Sequence, residues 1–299
     1  MNKRTLYNKN DLGRSFGLAV AVMLLAQFFL GLIFGMVMDD EPTLSNGEFW
    51  LLQTLYALCI GSTTFFYAAL TKTNVLQATA MNRAPKFTHV GWGCAATLFL
   101  IAMMMPLNNL LMRLIVALGL PKPSVELPMQ IVPMILVACV LASVTEELLF
   151  RGTLVRSLAN DKNKLGTLAI SGALFAHFHT NPAQTLHQFV LGAFLALLVL
   201  RSGSVWTTVL VHFFNNLVAV ILSFTLPSED IFVNYWYVFV PVGLVGFVAC
   251  IFGYLKTTSD LWAHSEENEC KMDVNSKVFL SAGIVLCAVL WICSLMGWL

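Results

Sequence analysis

Long apolar segments dominate the pattern along this 299-residue chain. A helix of about 20 apolar residues crosses the hydrocarbon core of a bilayer, and segments of that kind recur from one end to the other. The pattern predicts an all-α fold, a polytopic transmembrane helical bundle of about eight or nine spans. The candidate spans begin near Phe16, Phe49, His89, Met129, Leu165, Gln184, Ser204, Phe232 and Val278, and the fifth and sixth are short.

The segment between the third and fourth candidates has a different pattern. From Pro106 its polarity is mixed, which predicts an interfacial helix that is then broken at Pro121. No polar linker divides the chain elsewhere. We therefore expect one membrane domain over residues 1–299.

Composition agrees with this picture and excludes several functions. The chain is 58% hydrophobic and only 11% charged, and its mean hydropathy is +0.77, well outside the range of soluble domains. A net charge of +1 provides no basic face, so no DNA or RNA partner is expected. The seven cysteines include no CxxC pair, which argues against a disulfide framework and against a cysteine zinc site.

Basic residues predict the orientation. They cluster in Lys3–Arg14, Lys72–Lys86 and Arg151–Lys164 and recur at Arg201 and Lys256, whereas residues 39–48 and 229–230 form acidic connections. Cytoplasmic loops are enriched in Lys and Arg. The N-terminus and the loops after the second, fourth, sixth and eighth candidates are therefore predicted to be cytoplasmic.

The fourth candidate span carries ionisable residues towards its end: Glu146, Glu147 and Arg151. Such groups cost roughly 2.5–3.5 kcal/mol each at a membrane helix centre and usually serve a function. Residues four apart share a helix face, so Glu147 is expected to pair with Arg151 while Glu146 points elsewhere. A free carboxylate in a partly dry site suits a general base. A purely structural salt bridge near the interface is the alternative.

Two later spans carry polar residues in apolar surroundings. His177 and His179 end the fifth candidate, and Phe175 shares a face with His179. His212 and Asn216 share a face of the seventh and offer hydrogen-bond donors of the kind found in an oxyanion site. Each pair alone could serve helix packing. Three such spans together favour a function.

These patterns resemble the three motifs of the CAAX prenyl protease and bacteriocin-processing family, also called the Abi family. They are Glu146-Glu147-x-x-x-Arg151, Phe175-x-x-x-His179 and His212-x-x-x-Asn216, in this order on successive helices. The resemblance covers residues 143–216. It implies a family-like catalytic core over about residues 129–225 inside a single intramembrane protease domain.

The resemblance implies an intramembrane endopeptidase without a cofactor, acting on membrane-associated or lipidated proteins or peptides in a bilayer. Glu146 and His179 would activate a water molecule, and His212 with Asn216 would stabilise the tetrahedral oxyanion. Glu147 and Arg151 would shape the site. Family proteins of this compact type are common in bacterial cytoplasmic membranes, so the resemblance implies a multi-pass protein of such a membrane.

Other functions remain open from the residues alone. Glu146, His179 and His212 could be zinc ligands around a metal-bound water, although no HExxH helix is present. A bacteriocin-immunity or scaffold protein would keep the fold without catalysis, and a transporter could use Glu–His pairs as a proton relay. His177 and His187 match no family position, although His187 could line the same cavity. The sequence specifies neither the substrate nor the oligomeric state.

One geometric difficulty follows from helix lengths. Glu146 lies near the predicted cytoplasmic end of its helix, whereas His179 lies 14 residues beyond Leu165, about 21 Å along the next. They can meet if the fifth helix starts outside the hydrocarbon, if it tilts strongly, or if the fourth continues beyond Arg151. The turn at residues 180–184 would then line a wet cavity open to the cytoplasm.

Overall fold

The computed structural model describes residues 3–37, 45–122, 128–226, 230–262 and 271–298. No β-strand occurs in that part of the chain, which is built almost entirely of helices. Its nine long helices are α1 Lys9–Val37, α2 Asn46–Leu70, α3 Phe87–Ala117, α4 Ile131–Val155, α5 Lys164–Phe178, α6 Thr185–Ser202, α7 Val205–Thr225, α8 Trp236–Thr257 and α9 Val274–Leu295. Short helical segments at Val75–Ala78 and Asp230–Asn234 complete the described helices.

Eight of these helices are long and apolar enough to cross a membrane, among the residues described. The exception is α5, whose 15 residues span only about 22 Å. The predicted polytopic bundle is thus confirmed, and the chain is a multi-pass membrane protein. The fifth candidate of the sequence pattern is the one that falls short of a full span.

The predicted interfacial helix at Pro106 is wrong. Pro106 is buried inside α3, which runs through it without a break for 31 residues. Membrane helices tolerate proline because neighbouring helices and local adjustments satisfy the freed backbone groups. The helix ends instead at Ala117, and Gly119 shortly after it has a φ of +78°, which suits a residue without a Cβ atom. Pro121 follows that end and does not cause it.

The basic connections meet at one end of the bundle. Arg4 shares backbone hydrogen bonds with Lys72 and Asn74, which ties the N-terminal segment to the α2–α3 connection. Lys9 forms a 2.6 Å ion pair with Asp161 in the α4–α5 connection. This common end is what the positive-inside rule requires. Most of the acidic connections used in that argument, residues 39–44 and 229, lie outside the described residues, and the cytoplasmic orientation stays a prediction.

Helices α5 and α6 form a closely packed hairpin. A Cβ atom on Gly172 would lie 2.5 Å from the Phe189 carbonyl oxygen, and one on Gly192 would lie 3.0 Å from the Gly172 Cα atom. Small residues allow membrane helices to approach to this distance. The turn between them passes through Thr180, whose φ is +49°. The hairpin places His179 beside α4.

Helix α4 continues beyond Arg151, which removes the geometric difficulty. Glu146 lies nine residues before its end at Val155, about 14 Å along the helix, so α5 can return to the same depth. Two π-helical stretches, Met134–Leu141 and Leu148–Val155, flank the α-helical segment Ala142–Glu147. Such wide turns are rare and often occur at functional sites.

Candidate active site

Glu146 and His179 meet between α4 and the end of α5. The Glu146 Oε2 and His179 Nε2 atoms are 3.5 Å apart, and the side chains are 22% and 18% exposed. Glu146 Oε2 is itself buried and makes no hydrogen bond within the described residues. The pair is therefore shielded from bulk solvent on most sides, while one acceptor oxygen stays available.

A backbone contact fixes the proton on the His179 ring. The Nδ1 atom lies 2.8 Å from the Phe175 carbonyl oxygen. Because a carbonyl oxygen can only accept, Nδ1 must carry a hydrogen. In the neutral ring, Nε2 then presents a lone pair towards Glu146. When the ring is neutral, two hydrogen-bond acceptors therefore face each other across 3.5 Å.

Glu147 points away from this pair into the protein. Its Oε1 atom accepts a hydrogen bond from Arg151 Nη1 at 2.8 Å, and both side chains are fully buried. The ion pair expected from the four-residue spacing is present. The same oxygen lies 2.9 Å from His212 Nδ1 on α7, a contact that no spacing within one helix reveals. Glu147 therefore joins the arginine of its own helix to the histidine of another.

The aromatic ring of Phe175 lies at the centre of these groups. Its centroid is 4.5 Å from that of His179 and 5.8 Å from that of His212. The Arg151 guanidinium carbon lies 4.2 Å from the same ring, within the range of a cation–π interaction. Phe175 is fully buried, so it holds both imidazoles and the guanidinium in one packed cluster.

Asn216 is held by two neighbours. Its Nδ2 atom donates to the Ala138 carbonyl oxygen at 2.8 Å, in the first π-helical stretch of α4. Its Oδ1 atom accepts from Asn215 Nδ2 at 3.0 Å. The carboxamide therefore has a fixed orientation, with one hydrogen of Nδ2 left for another acceptor. Asn215 does not stand out in the sequence, since the four-residue spacing from His212 selects only its neighbour Asn216.

The remaining histidines differ in position. His177 Nδ1 bonds the Ala173 carbonyl oxygen of its own helix at 2.8 Å. His187 on α6 lies near Asn215 and within electrostatic range of His179 and His212. It therefore lines the cluster, although no motif indicated it.

The predicted site residues thus gather where α4, α5 and α7 meet. Within the described residues, no group of three His, Cys, Asp or Glu side chains is spaced to hold a metal ion. One nitrogen of His212 already faces Glu147, so a metal could use only the other. The choice between a metal-free site and a zinc site on Glu146, His179 and His212 remains a prediction.

Comparison with protein families gives one match. The family model described as type II CAAX prenyl endopeptidase Rce1-like matches residues 128–218. This segment of the chain is therefore similar to the Rce1-like family. This range contains all three motifs and nearly coincides with the predicted core of 129–225. At the level of the family, the match supports a CAAX-type intramembrane endopeptidase.

No curated protein and no solved structure gave a significant match to the chain. The similarity to the Rce1-like family therefore rests on the family model. Roles of individual side chains within the matched segment remain predictions.

Proposed function

We propose that this protein is an intramembrane endopeptidase that hydrolyses peptide bonds of membrane-associated or lipidated proteins, using a water activated by Glu146 and His179. The observation that carries this proposal is the 3.5 Å approach of Glu146 Oε2 to His179 Nε2 from two different helices. The Rce1-like match over residues 128–218 supports the same reaction class.

A water molecule satisfies both groups at once. It has two O–H donors, and a carboxylate oxygen and an unprotonated imidazole nitrogen are both acceptors. On attack, the water oxygen bonds to the carbonyl carbon and one water proton passes to the Glu146 carboxylate. The resulting carboxylic acid then donates that proton to the leaving amine as the C–N bond breaks. General acid–base catalysis of this kind contributes typically ~10²–10⁴-fold in rate.

His212 and Asn216 are proposed to stabilise the oxyanion formed in this step. The His212 Nδ1 atom donates its hydrogen to the Glu147 carboxylate. A second hydrogen on Nε2 then makes the ring a cation, and the buried carboxylate stabilises that charge. Asn216 contributes the hydrogen of Nδ2 that Ala138 does not take. Two fixed donors aimed at developing negative charge are the usual composition of an oxyanion site.

The membrane setting follows from the bundle. Glu146 and His179 are proposed to face a wet cavity that opens to the cytoplasm, so that the scissile bond of a membrane-anchored substrate reaches them from the bilayer surface. The protein is proposed to act as one domain in a bacterial cytoplasmic membrane. Its N-terminus would be cytoplasmic, because the basic connections meet at one end of the bundle.

The decisive experiment compares matched variants of the full-length protein in nanodiscs. The substrate is a prenylated peptide that ends in a CAAX sequence, and its cleavage is measured by mass spectrometry. Glu146→Gln and His179→Ala should each reduce cleavage by ~10²-fold or more. His177→Ala is the control, since His177 makes the same backbone contact two residues earlier and should retain wild-type cleavage.

A second arm covers substrates other than CAAX peptides. Membranes containing wild type or Glu146→Gln are compared by proteomics for protein termini that depend on Glu146. Identical termini in both membranes, together with an unchanged cellular phenotype of the variant, would contradict the proposal. That outcome would favour an immunity or scaffold role instead.

A further inference from the structure

A cavity lies at the basic end of the bundle, away from Glu146. It has a volume of about 340 Å³, and its wall includes Arg156, ten residues beyond Glu146 along the same chain. At the rise of an α-helix that separation is about 15 Å. None of the predicted catalytic side chains lines it. The cavity is therefore a separate feature from the candidate active site.

The wall of this cavity is electropositive. Lys9, Arg83 and Arg156 line it together with one acidic side chain, Asp161, which gives the lining a formal charge of +2. The Asp161 carboxylate already forms an ion pair with Lys9, at 2.6 Å. Within the described residues, no carboxylate forms an ion pair with Arg83 or Arg156. Two guanidinium groups thus line the cavity, and the one carboxylate in its described wall pairs with Lys9 instead of with either of them.

Arg156 is held in place by the backbone. Its Nε atom donates to the Ala78 carbonyl oxygen at 3.1 Å, which leaves its two terminal nitrogens for other partners. Burial, together with the nearby charge of Arg83, lowers the pKa of Arg156 to about 10. The group still carries a full charge at neutral pH. An anion bound by the two arginines would offset both the desolvation cost of the buried guanidinium and the repulsion between the two positive charges.

Gly203 makes room for the second arginine. It ends α6 with a φ of +70°, and a Cβ atom there would lie 2.9 Å from Arg83 Nη1 and 2.6 Å from Leu261 Cδ1. Any larger residue would push the guanidinium out of this position. The turn after α6 thus provides the space that the Arg83 side chain occupies at the cavity.

We propose that this cavity binds a phosphate group, held by the guanidinium groups of Arg83 and Arg156. Arginine recognises phosphate through paired N–H donors, and such charge-assisted bonds are stronger than neutral ones. The rest of the wall includes Leu158, Leu200 and Trp262, so the phosphate can carry an apolar portion. A phospholipid headgroup and a soluble phosphate compound share this chemistry, and the experiment separates them.

The experiment uses full-length protein and two probes. In neutral detergent, inorganic phosphate is titrated at constant ionic strength against chloride, and thermal stabilisation is measured. In nanodiscs, phosphatidylglycerol at a low mole fraction in phosphatidylcholine is tested, and retained lipid is counted by native mass spectrometry.

Arg83→Gln is the main variant because Arg83 is exposed, and its loss should leave the fold intact. Arg156→Lys is the second, since it keeps the charge but removes the paired donors.

Lys256→Gln is the matched control. It removes one positive charge from the end of α8, where Lys256 is exposed and lies over the Phe252 ring at 4.2 Å. We expect Arg83→Gln to lower the affinity for the probe about tenfold or more. Arg156→Lys should also lower this affinity, and Lys256→Gln should change it less than twofold.

Each arm has a distinct result. Retention of phosphatidylglycerol that Arg83→Gln abolishes identifies a lipid headgroup as the source. Saturable stabilisation by inorganic phosphate that the same variant abolishes identifies a soluble phosphate compound. Failure of both probes with wild type, or equal binding by Arg83→Gln and Lys256→Gln, would overturn the proposal.

Discussion

Glu147 and His212 lie 2.9 Å apart, atom Oε1 to atom Nδ1, although 65 residues separate them along the chain. The same carboxylate oxygen accepts a hydrogen bond from Arg151. Glu147 thus connects the ion pair of α4 to the proposed oxyanion residue on α7. Its position explains why a second acidic residue follows Glu146 in an apolar helix.

Removal of this carboxylate should destabilise the fold. Glu147→Ala leaves Arg151 buried and without its counter-charge, because both side chains of the pair are fully buried. A broken buried ion pair typically costs about 3–5 kcal/mol. The free energy of unfolding, measured in mixed detergent micelles, should fall by that amount.

The control for this change is Asp161→Asn. Asp161 pairs with Lys9 near the surface, where the two side chains are 19% and 35% exposed. Exposed pairs contribute about 1 kcal/mol or less. Equal losses of stability in Glu147→Ala and Asp161→Asn would show that the buried ion pair stabilises the fold no more than the surface pair does.

Asn215 should act through Asn216. Its Nδ2 atom bonds the Asn216 Oδ1 atom at 3.0 Å and so fixes the orientation of that carboxamide. Loss of one oxyanion donor costs about 10²–10³-fold in kcat, which we expect for Asn216→Ala. Asn215→Ala leaves the donor present but poorly oriented, so kcat should fall less and KM should stay near the wild-type value.

Steady-state kinetics of both variants on one cleaved peptide would measure this difference. The positioning role requires Asn215→Ala to retain more of kcat than Asn216→Ala. A larger loss in Asn215→Ala, or a rise in KM without a fall in kcat, would instead place Asn215 in substrate binding.

The α5–α6 hairpin should be sensitive to a single methyl group. A Cβ atom on Gly172 would lie 2.5 Å from the Phe189 carbonyl oxygen, and overpacking of this kind costs typically about 1–3 kcal/mol. Gly172→Ala should therefore lower stability and, by shifting α5, reduce cleavage. Gly91→Ala is the matched control because nothing lies within 4 Å of its Cβ position. A stable, fully active Gly172→Ala variant would contradict the close packing of this hairpin.

Metal removal distinguishes the metal-free mechanism from the zinc-dependent alternative. In the proposed mechanism Glu146 and His179 activate the water without a metal, so we expect cleavage by purified protein to persist after dialysis against EDTA and 1,10-phenanthroline. Peptide cleavage and zinc content by elemental analysis are measured on the same samples. Stoichiometric zinc that is lost together with activity and restores it on return would favour the zinc alternative.

Some of the candidate site could be read from one helix at a time. The Glu147–Arg151 pair needs only the four-residue spacing of a single helix, and it is present. The contact between Phe175 and His179 follows from the same spacing. Contacts such as His212 with Glu147 cross between helices and depend on how α4 and α7 pack. No periodicity within either segment encodes that distance.

The prediction at Pro106 failed for a related reason. Mixed polarity and a proline suggested a separate interfacial helix, but α3 continues through that position. A proline breaks a helix in water mainly because it removes a hydrogen bond and clashes with the preceding turn. Among packed membrane helices, neighbours can offset that loss. The local pattern contains no information about those neighbours.

The sequence by itself determined the membrane class, the helical architecture and the helices on which the candidate residues lie. Bilayer thickness fixes the length of an apolar helix, and 3.6-residue periodicity fixes which neighbours share a face. The family resemblance implies that Glu146 acts with His179, but only the tertiary structure decided that Glu147 meets His212. It turns Glu146 towards His179 and Glu147 towards His212, because side chains on adjacent positions of one helix face different partners in a packed bundle.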